Sequence, residues 1–188
     1  MLSQVAWGQS GSAVLANLFP ASGGSAAPVA RYGPVSAGMG SWYEGMSCAV
    51  TVAHVQISCL TAPGVGRELV WRVSVGGQNS SVLTSQTSSY SPPVVLNYDR
   101  LPSRSPGSVD ADTRGGQRVR IEGRNFGPLG TAVERVTYGV DGKADFEASG
   151  CVVEEAHSWI ACDTVAGAGA GLQWFVTIAG QRSITSTT

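Results

Sequence analysis

Charge is scarce in this 188-residue chain: Lys, Arg, Asp and Glu together make up 13% of it, and the net charge is -1. No run of Lys and Arg breaks that balance, which argues against a strong grip on a phosphate backbone and so against nucleic acid as a partner. Long apolar runs are also missing. No stretch reaches the roughly eighteen residues needed to span a bilayer. The segment from Met1 to Phe19 has no basic start, and Gln4, Gln9, Ser10 and Ser12 interrupt its apolar residues, so it reads poorly as a signal peptide. If the protein is secreted, its signal has been removed or lies outside this chain. Few windows place apolar residues at helical spacing, which excludes a helical bundle.

What is present points to strands. Twenty-five Gly and nine Pro punctuate short runs of Val, Thr, Ser and aromatic residues, and the 43% apolar content suffices for two small cores. The most informative feature is a duplication. Residues 48–78 and 151–181 align without a gap at an offset of 103, with fourteen of thirty-one positions identical. These include Cys48, His54, Cys59, Gly64, Gly66, Trp71 and Gly77, which recur as Cys151, His157, Cys162, Gly167, Gly169, Trp174 and Gly180. A period this long exceeds a solenoid unit and fits a small domain. The expected organisation is one repeat over residues 1–91 and a second over 92–188.

Each repeat has two cysteines flanking a histidine. If Val50 to Val52 and Val55 to Ile57 are the arms of a hairpin turning at Ala53 and His54, Cys48 faces Cys59 and Val50 faces Ile57. The same reading pairs Cys151 with Cys162 and Val153 with Ile160. Disulfides Cys48–Cys59 and Cys151–Cys162 are therefore expected, each worth about 2–3 kcal/mol for so short a loop, and they imply an oxidising compartment. Two other readings stay open: buried free thiols, and a metal held by Cys48, His54 and Cys59, for which no CxxC knuckle or fourth ligand is visible.

The second repeat reads as strands at Val94–Tyr98, Arg118–Glu122, Val133–Tyr138, around Phe146, through the cysteine hairpin and at Leu172–Ile178. Between them lie a loop at Leu101–Arg114 and a turn, Gly123-Arg124-Asn125-Phe126-Gly127-Pro128, anchored by a buried Phe126. Val119 and Ile121 alternate with Arg118, Arg120 and Glu122, the pattern of a strand with one wet face. Trp71 and Trp174 sit among Leu69, Val73 and Val75, and among Leu172, Val176 and Ile178, at inward-facing spacing. They read as core anchors rather than ligand-stacking platforms. Gly76-Gly77 reads as a two-residue primed hairpin turn leading into a strand from Asn79 through Thr84.

The order Val119-x-Ile121-x-Gly123-x-Asn125-Phe126-Gly127-Pro128, a Cys-x10-Cys pair, Gly-x-Gly, a Trp-centred strand and Gly-Gln-x-Ser resembles the IPT/TIG domain. That family is the immunoglobulin-like module of plexins, related receptors and many repeat-built surface proteins. The resemblance covers nearly all of residues 92–188 and, more loosely, 11–91. It implies an all-β fold of two tandem immunoglobulin-like β-sandwiches of the IPT/TIG type. The first repeat departs from the pattern, with Asn17-Leu18-Phe19-Pro20 replacing the Asn-Phe-Gly-Pro turn. Its Tyr32-Gly33 lies sixteen residues before Cys48, where Tyr138-Gly139 lies thirteen before Cys151. Register before Cys48 is thus open. The first repeat lacks a counterpart of Val94–Tyr98, and the second stops short of an equivalent of Gln86–Tyr90. This reads either as a window from a longer array or as edges that neighbouring molecules complete.

Asn79-Ser80-Ser81 is an N-glycosylation acceptor just past the hairpin turn, and Arg182 replaces Asn79 in the second repeat. Ser91-Pro92-Pro93 and Ser105-Pro106 look like substrates for proline hydroxylation and O-glycosylation at Pro92, Pro93 and Pro106, with an ordinary linker as the alternative. No catalytic residue is expected. His54 and His157 are repeat-equivalent and so belong to the hairpin, no Ser/His/Asp set is visible, and Asp110, Asp112 and Asp163 fall in loops. Asp110-Ala111-Asp112 could contribute to a calcium site but lacks the EF-hand ligand pattern. No cofactor or metal is expected. The functional expectation is a non-enzymatic extracellular or cell-surface structural or adhesive protein, glycosylated, with itself as partner in a filament. The alternatives are a ligand-binding receptor ectodomain fragment and, as the resemblance implies, a non-catalytic accessory module of a secreted carbohydrate-active enzyme.

Overall fold

The computed structural model describes residues 12–13, 27–100 and 111–185. Among these residues every regular element is a strand apart from two short 3-10 turns at Met39–Ser41 and Val140–Gly142. The chain divides into two compact units. The first comprises Met1–Pro63 and Glu68–Ser89, and the second comprises Tyr90–Thr188 together with Gly64–Arg67.

The second unit holds β9 (Val94–Arg100), β10 (Arg118–Arg124), β11 (Arg135–Gly139), β12 (Phe146–Glu147), β13 (Ser149–Glu155), β14 (Trp159–Asp163), β15 (Gln173–Ile178), β16 (Gln181–Arg182) and β17 (Ile184–Thr185). One sheet runs β13-β14-β10-β9-β17 and the other β12-β11-β15-β16. All pairs are antiparallel except β17 on β9. Strands one, two, four and five of an immunoglobulin domain thus lie on one sheet and three, six and seven on the other. The core lies between them: Val119, Ile121, Val153, Ile160 and Cys162 come from the first sheet, and Val136, Tyr138, Trp174, Val176 and Ile178 from the second.

The first unit holds β1 (Ser12–Ala13), β2 (Val29–Pro34), β3 (Tyr43–Glu44), β4 (Met46–Val52), β5 (Gln56–Leu60), β6 (Leu69–Val75), β7 (Gln78–Asn79) and β8 (Leu83–Ser88). Its sheets are β1-β5-β4 and β3-β2-β6-β7, with β8 also on β6. Ala13 pairs with Ile57 as Ile121 pairs with Ile160, so β1 occupies the place of β10. Asn17–Pro20 lies outside the described residues.

One contact recurs at the centre of each unit. Tyr32 stacks on Trp71, and Tyr138 on Trp174, with ring centroids 4.2 Å apart in both. Each tyrosine hydroxyl then clasps one backbone residue from both sides. It accepts from the Ala62 or Val165 N–H at 2.8 and 3.0 Å, and donates to the same residue's carbonyl at 3.3 Å. Tyr32 is therefore the counterpart of Tyr138, although their offset is 106. Tyr43 and Phe146, at the usual 103, both pack on these tyrosines, at 5.3 and 5.2 Å. The register ambiguity before Cys48 resolves into three extra residues in the loop between Gly33 and Tyr43.

Three sequence expectations need correction. Arg120 does not sit on a wet face: it is buried, its guanidinium stacked on the Trp159 ring and paired with Glu122 at 2.8 Å. Opposite-facing aromatic cover, which alternation cannot reveal, dries that side. The strand expected from Asn79 through Thr84 is broken, since β7 ends at Asn79 and β8 begins at Leu83. The cause is Ser80, whose N–H donates to the Val73 carbonyl at 2.8 Å while its Oγ accepts the Val73 N–H at 3.0 Å. A hydroxyl thus replaces the next carbonyl of the ladder, and the chain leaves the sheet. Ser183 does the same to Val176. The third correction concerns the hairpin tip, described below. The Gly76-Gly77 turn has φ of 56° and 78°, the two left-handed residues of a type I′ turn.

Phe126 is fully buried, and a Cβ at Gly123 would collide with its ring and with the Val94 carbonyl. Phe126→Ala should cost the second unit about 3–5 kcal/mol, read as a lowered urea midpoint. Leu129→Ala, at an exposed position three residues on, should stay within about 0.5 kcal/mol of the parent. Similar small losses from both would contradict Phe126 as the anchor.

Candidate functional site

The duplicated hairpin is the obvious place to look for chemistry. Both disulfides are formed, Cys48–Cys59 and Cys151–Cys162, with Cα atoms 4.1 and 4.2 Å apart. They do not join simple cross-strand pairs. One extra residue sits on β4 between the Met46–Leu60 and Ala49–Ser58 pairs, so Ser47 and Cys48 together face Cys59. Gly150 and Cys151 face Cys162 in the same way. Ser47 and Gly150 take φ of 50° and 59°, the left-handed residue that such a bulge needs.

At the tip the expected two-residue turn is a three-residue loop, because Val52 pairs with Gln56, and Glu155 with Trp159. The N–H of Val55 donates to Val52 O, and that of Ser158 to Glu155 O, both at 3.1 Å. The residue before each donor is the histidine, at φ 62° for His54 and 65° for His157. His tolerates this conformation better than most side chains. Both imidazoles are exposed. The histidine backbone carries the contacts: His157 N–H donates to Gly127 O at 2.6 Å, His157 O accepts from Phe126 N–H at 3.3 Å, and Ser158 O accepts from Gly123 N–H at 2.8 Å. The Asn-Phe-Gly-Pro turn is therefore clamped to the hairpin tip, and Asn125 Nδ2 extends the clamp to Pro92 O at 3.0 Å.

The metal reading of Cys48, His54 and Cys59 falls because both sulfurs are consumed in a disulfide. Among the described residues no group of three His, Cys, Asp or Glu side chains converges. Asp112 pairs with Arg114 at 2.6 Å, whose side chain and backbone N–H hold its carboxyl below the ordinary value. Asp110 lies outside the described residues. Asn79 is exposed on β7 opposite Ser74. Pro92 is half-buried, whereas the Pro93 ring is fully buried and leaves no room for a glycan in the folded unit. Pro106 lies outside the described residues. Trp71, Trp174 and Phe126 are all buried.

The second unit also holds a cavity of about 250 Å³, walled by Tyr98, Tyr138, Phe146, Leu172 and Trp174 and by the small residues Gly167 to Gly171. Its polar side chains are already engaged. Tyr98 donates to Leu172 O at 3.2 Å, Tyr138 is held by Val165, and Thr164 Oγ1 accepts from Gln117 N–H at 3.1 Å. The space can receive an apolar group, and among the described residues that line it the one carboxylate, Asp112, is paired with Arg114. Sequence reading missed the clasping roles of Tyr32 and Tyr138 and the ladder role of Ser80 and Ser183. The Tyr-Gly and Gly-Gln-x-Ser repeats were the available signal. No protein family, curated protein or solved structure matches the chain.

If the histidine serves its backbone conformation, His157→Asn should leave stability nearly unchanged, while His157→Val should cost about 1–3 kcal/mol in urea unfolding of the second unit. Equal losses from both would assign the role to the imidazole.

Proposed function

We propose that the chain is an extracellular structural or adhesive protein, built from repeated IPT/TIG-like sandwiches, that assembles with further copies of itself into a surface filament. The observation that carries this reading is the duplicated hairpin. Its cysteines are spent on a staple and the backbone of its histidines on a turn, so the duplicated residues read as scaffold. Two disulfides in so small a chain favour an oxidising, extracellular setting. Among the described residues no helix is long and apolar enough to cross a membrane. Asn79 supports glycosylation by its exposure on a strand of the first unit.

Self-association is favoured by a difference between the two hairpins. From Gly45 to Gly66 the first repeat has no ionisable side chain except His54 outside its disulfide. Its hairpin exposes Met46, Val50, Val52, Val55 and Leu60. The counterparts in the second repeat are Ser149, Val153, Glu155, Ser158 and Asp163. Charges of this kind are how edge strands avoid unwanted association. Their absence on β4 leaves an apolar surface of the sort that marks interaction sites, and a contact between two different surfaces of identical molecules propagates into a filament when its rotation does not close a ring. The receptor-fragment reading keeps one specific support, the aromatic cavity of the second unit.

Sedimentation velocity and electron microscopy of the native protein at micromolar concentration should show linear assemblies. A chain carrying the second repeat's residues, Val52→Glu with Leu60→Asp, should remain a monomer with both disulfides intact. A native protein that is monodisperse and monomeric throughout would contradict the filament.

A further inference from the structure

On the β2–β6 sheet of the first unit lies a cavity of about 280 Å³, walled by Val29, Arg31, Met39, Arg72, Ser74 and Asn79. Its two cations are in different states. Arg31 is neutralised, with Nε and Nη2 both donating to Glu44 Oε2 at 3.1 and 3.0 Å. Arg72 is not. Its Nη1 meets only the Met39 sulfur, at 2.8 Å, and thioethers are weak acceptors. Its Nε is buried with no hydrogen-bond partner, and among the described residues Arg72 enters no ion pair. Arg120 Nε is likewise buried and unmet, but its guanidinium is paired with Glu122 and stacked on Trp159, whereas Arg72 has neither among the described residues, and an unmet buried donor calls for an explanation.

The second unit fills the same place with its own side chains. At the offset of 103, Phe175 is the counterpart of Arg72 and Arg182 that of Asn79. The Arg182 guanidinium lies over the Phe175 ring at 4.0 Å, and its Nη2 donates to the Gly142 carbonyl at 3.0 Å. That position is closed by its own side chains. In the first unit the shorter Asn79 opens the space, and Arg72 in place of the phenylalanine puts a cation without an ion-pair partner on its wall.

We propose that this cavity binds a single oxyanion, a carboxylate or a sulfate group, borne by a small polar molecule, with Arg72 as the charged donor. A guanidinium makes shorter and stronger hydrogen bonds to such oxygens than to any neutral acceptor, and it presents its N–H groups as a planar fork that matches them. The Ser74 side chain is the neutral partner for the rest of the molecule, joined by that of Asn79 in chains whose Asn79 carries no glycan. Arg31, neutralised by Glu44, does not compete with Arg72 as a donor. A neutral or cationic ligand would leave the Arg72 charge unmet. A free ion and an acidic sugar offer the same group, and they differ only in what else they bring into the cavity.

The full chain, produced without N-glycans so that Asn79 is bare, is titrated separately with sodium sulfate, sodium acetate and sodium glucuronate and followed by the backbone amide signals of Val29, Ser74 and Asn79. Saturable shifts at these amides are expected. Equal affinity for the three ions assigns the site to the free oxyanion, and tighter binding of glucuronate assigns it to a sugar-borne one. Arg72→Met should weaken binding by about tenfold or more. The double variant Arg72→Phe with Asn79→Arg, which installs the second repeat's own pair, should keep the folded spectrum and lose the response altogether. The proposal is overturned if none of the three ions gives saturable shifts, or if Arg72→Met or the double variant binds as tightly as the parent. None of these outcomes depends on whether the protein forms filaments.

Discussion

A phenol that is at once stacked and clasped holds each of these sandwiches closed. The ring of Tyr32 or Tyr138 lies against the tryptophan of the neighbouring strand, and its hydroxyl takes an N–H from, and gives its own hydrogen to, the same backbone residue in the loop that follows the cysteine hairpin. One side chain thereby ties a strand of one sheet to the chain leaving the other, so the distance between sheets is set by the length of a tyrosine. Burying this polar tip without both hydrogen bonds would be costly, which explains why the pair is met twice with nearly the same distances.

At the other end of the second sandwich the work is done by backbone geometry. The bulge before the cysteine turns its side chain towards the partner strand, the disulfide locks that register, and the left-handed histidine aims its own N–H and C=O at the Asn-Phe-Gly-Pro turn. Everything the two repeats share is accounted for by such closures. Two of their differences lie at the surface: an uncharged hairpin against a charged one, and Arg72 with Asn79 against Phe175 with Arg182. The proposed assembly surface and oxyanion cavity both fall at these two differences.

The all-β class, the disulfide pairs, the buried tryptophans and Phe126, and the primed turn at Gly76-Gly77 were legible in the sequence because each follows from a local pattern of spacing or residue type. The misses share a different cause. A bulge adds one residue to one strand, and Ser47 or Gly150 looks no different from its neighbours until the partner strand is known. Arg120 alternates with apolar residues as a solvated side chain would, and only Trp159, from another strand, dries it. Ser80 reads as part of an N-glycosylation acceptor and gives no sign of substituting for a carbonyl. Pro93 reads as linker until its ring is found in the packed interior. The cavity beside Asn79 was illegible because it arises from two coupled substitutions, one on each arm of a hairpin, and neither is unusual alone.

The tyrosine clasp is tested most directly by amide hydrogen exchange at Ala62 and Val165. Both amides should be among the slow ones although they lie in loops. Replacing Tyr138 by Phe, which keeps the stacked ring and removes only the hydroxyl, should speed exchange at Val165 by about tenfold or more while Ala62 stays protected. The converse is expected for Tyr32→Phe. Unchanged protection of Val165 in Tyr138→Phe would show that packing alone closes the sandwich and would contradict the account.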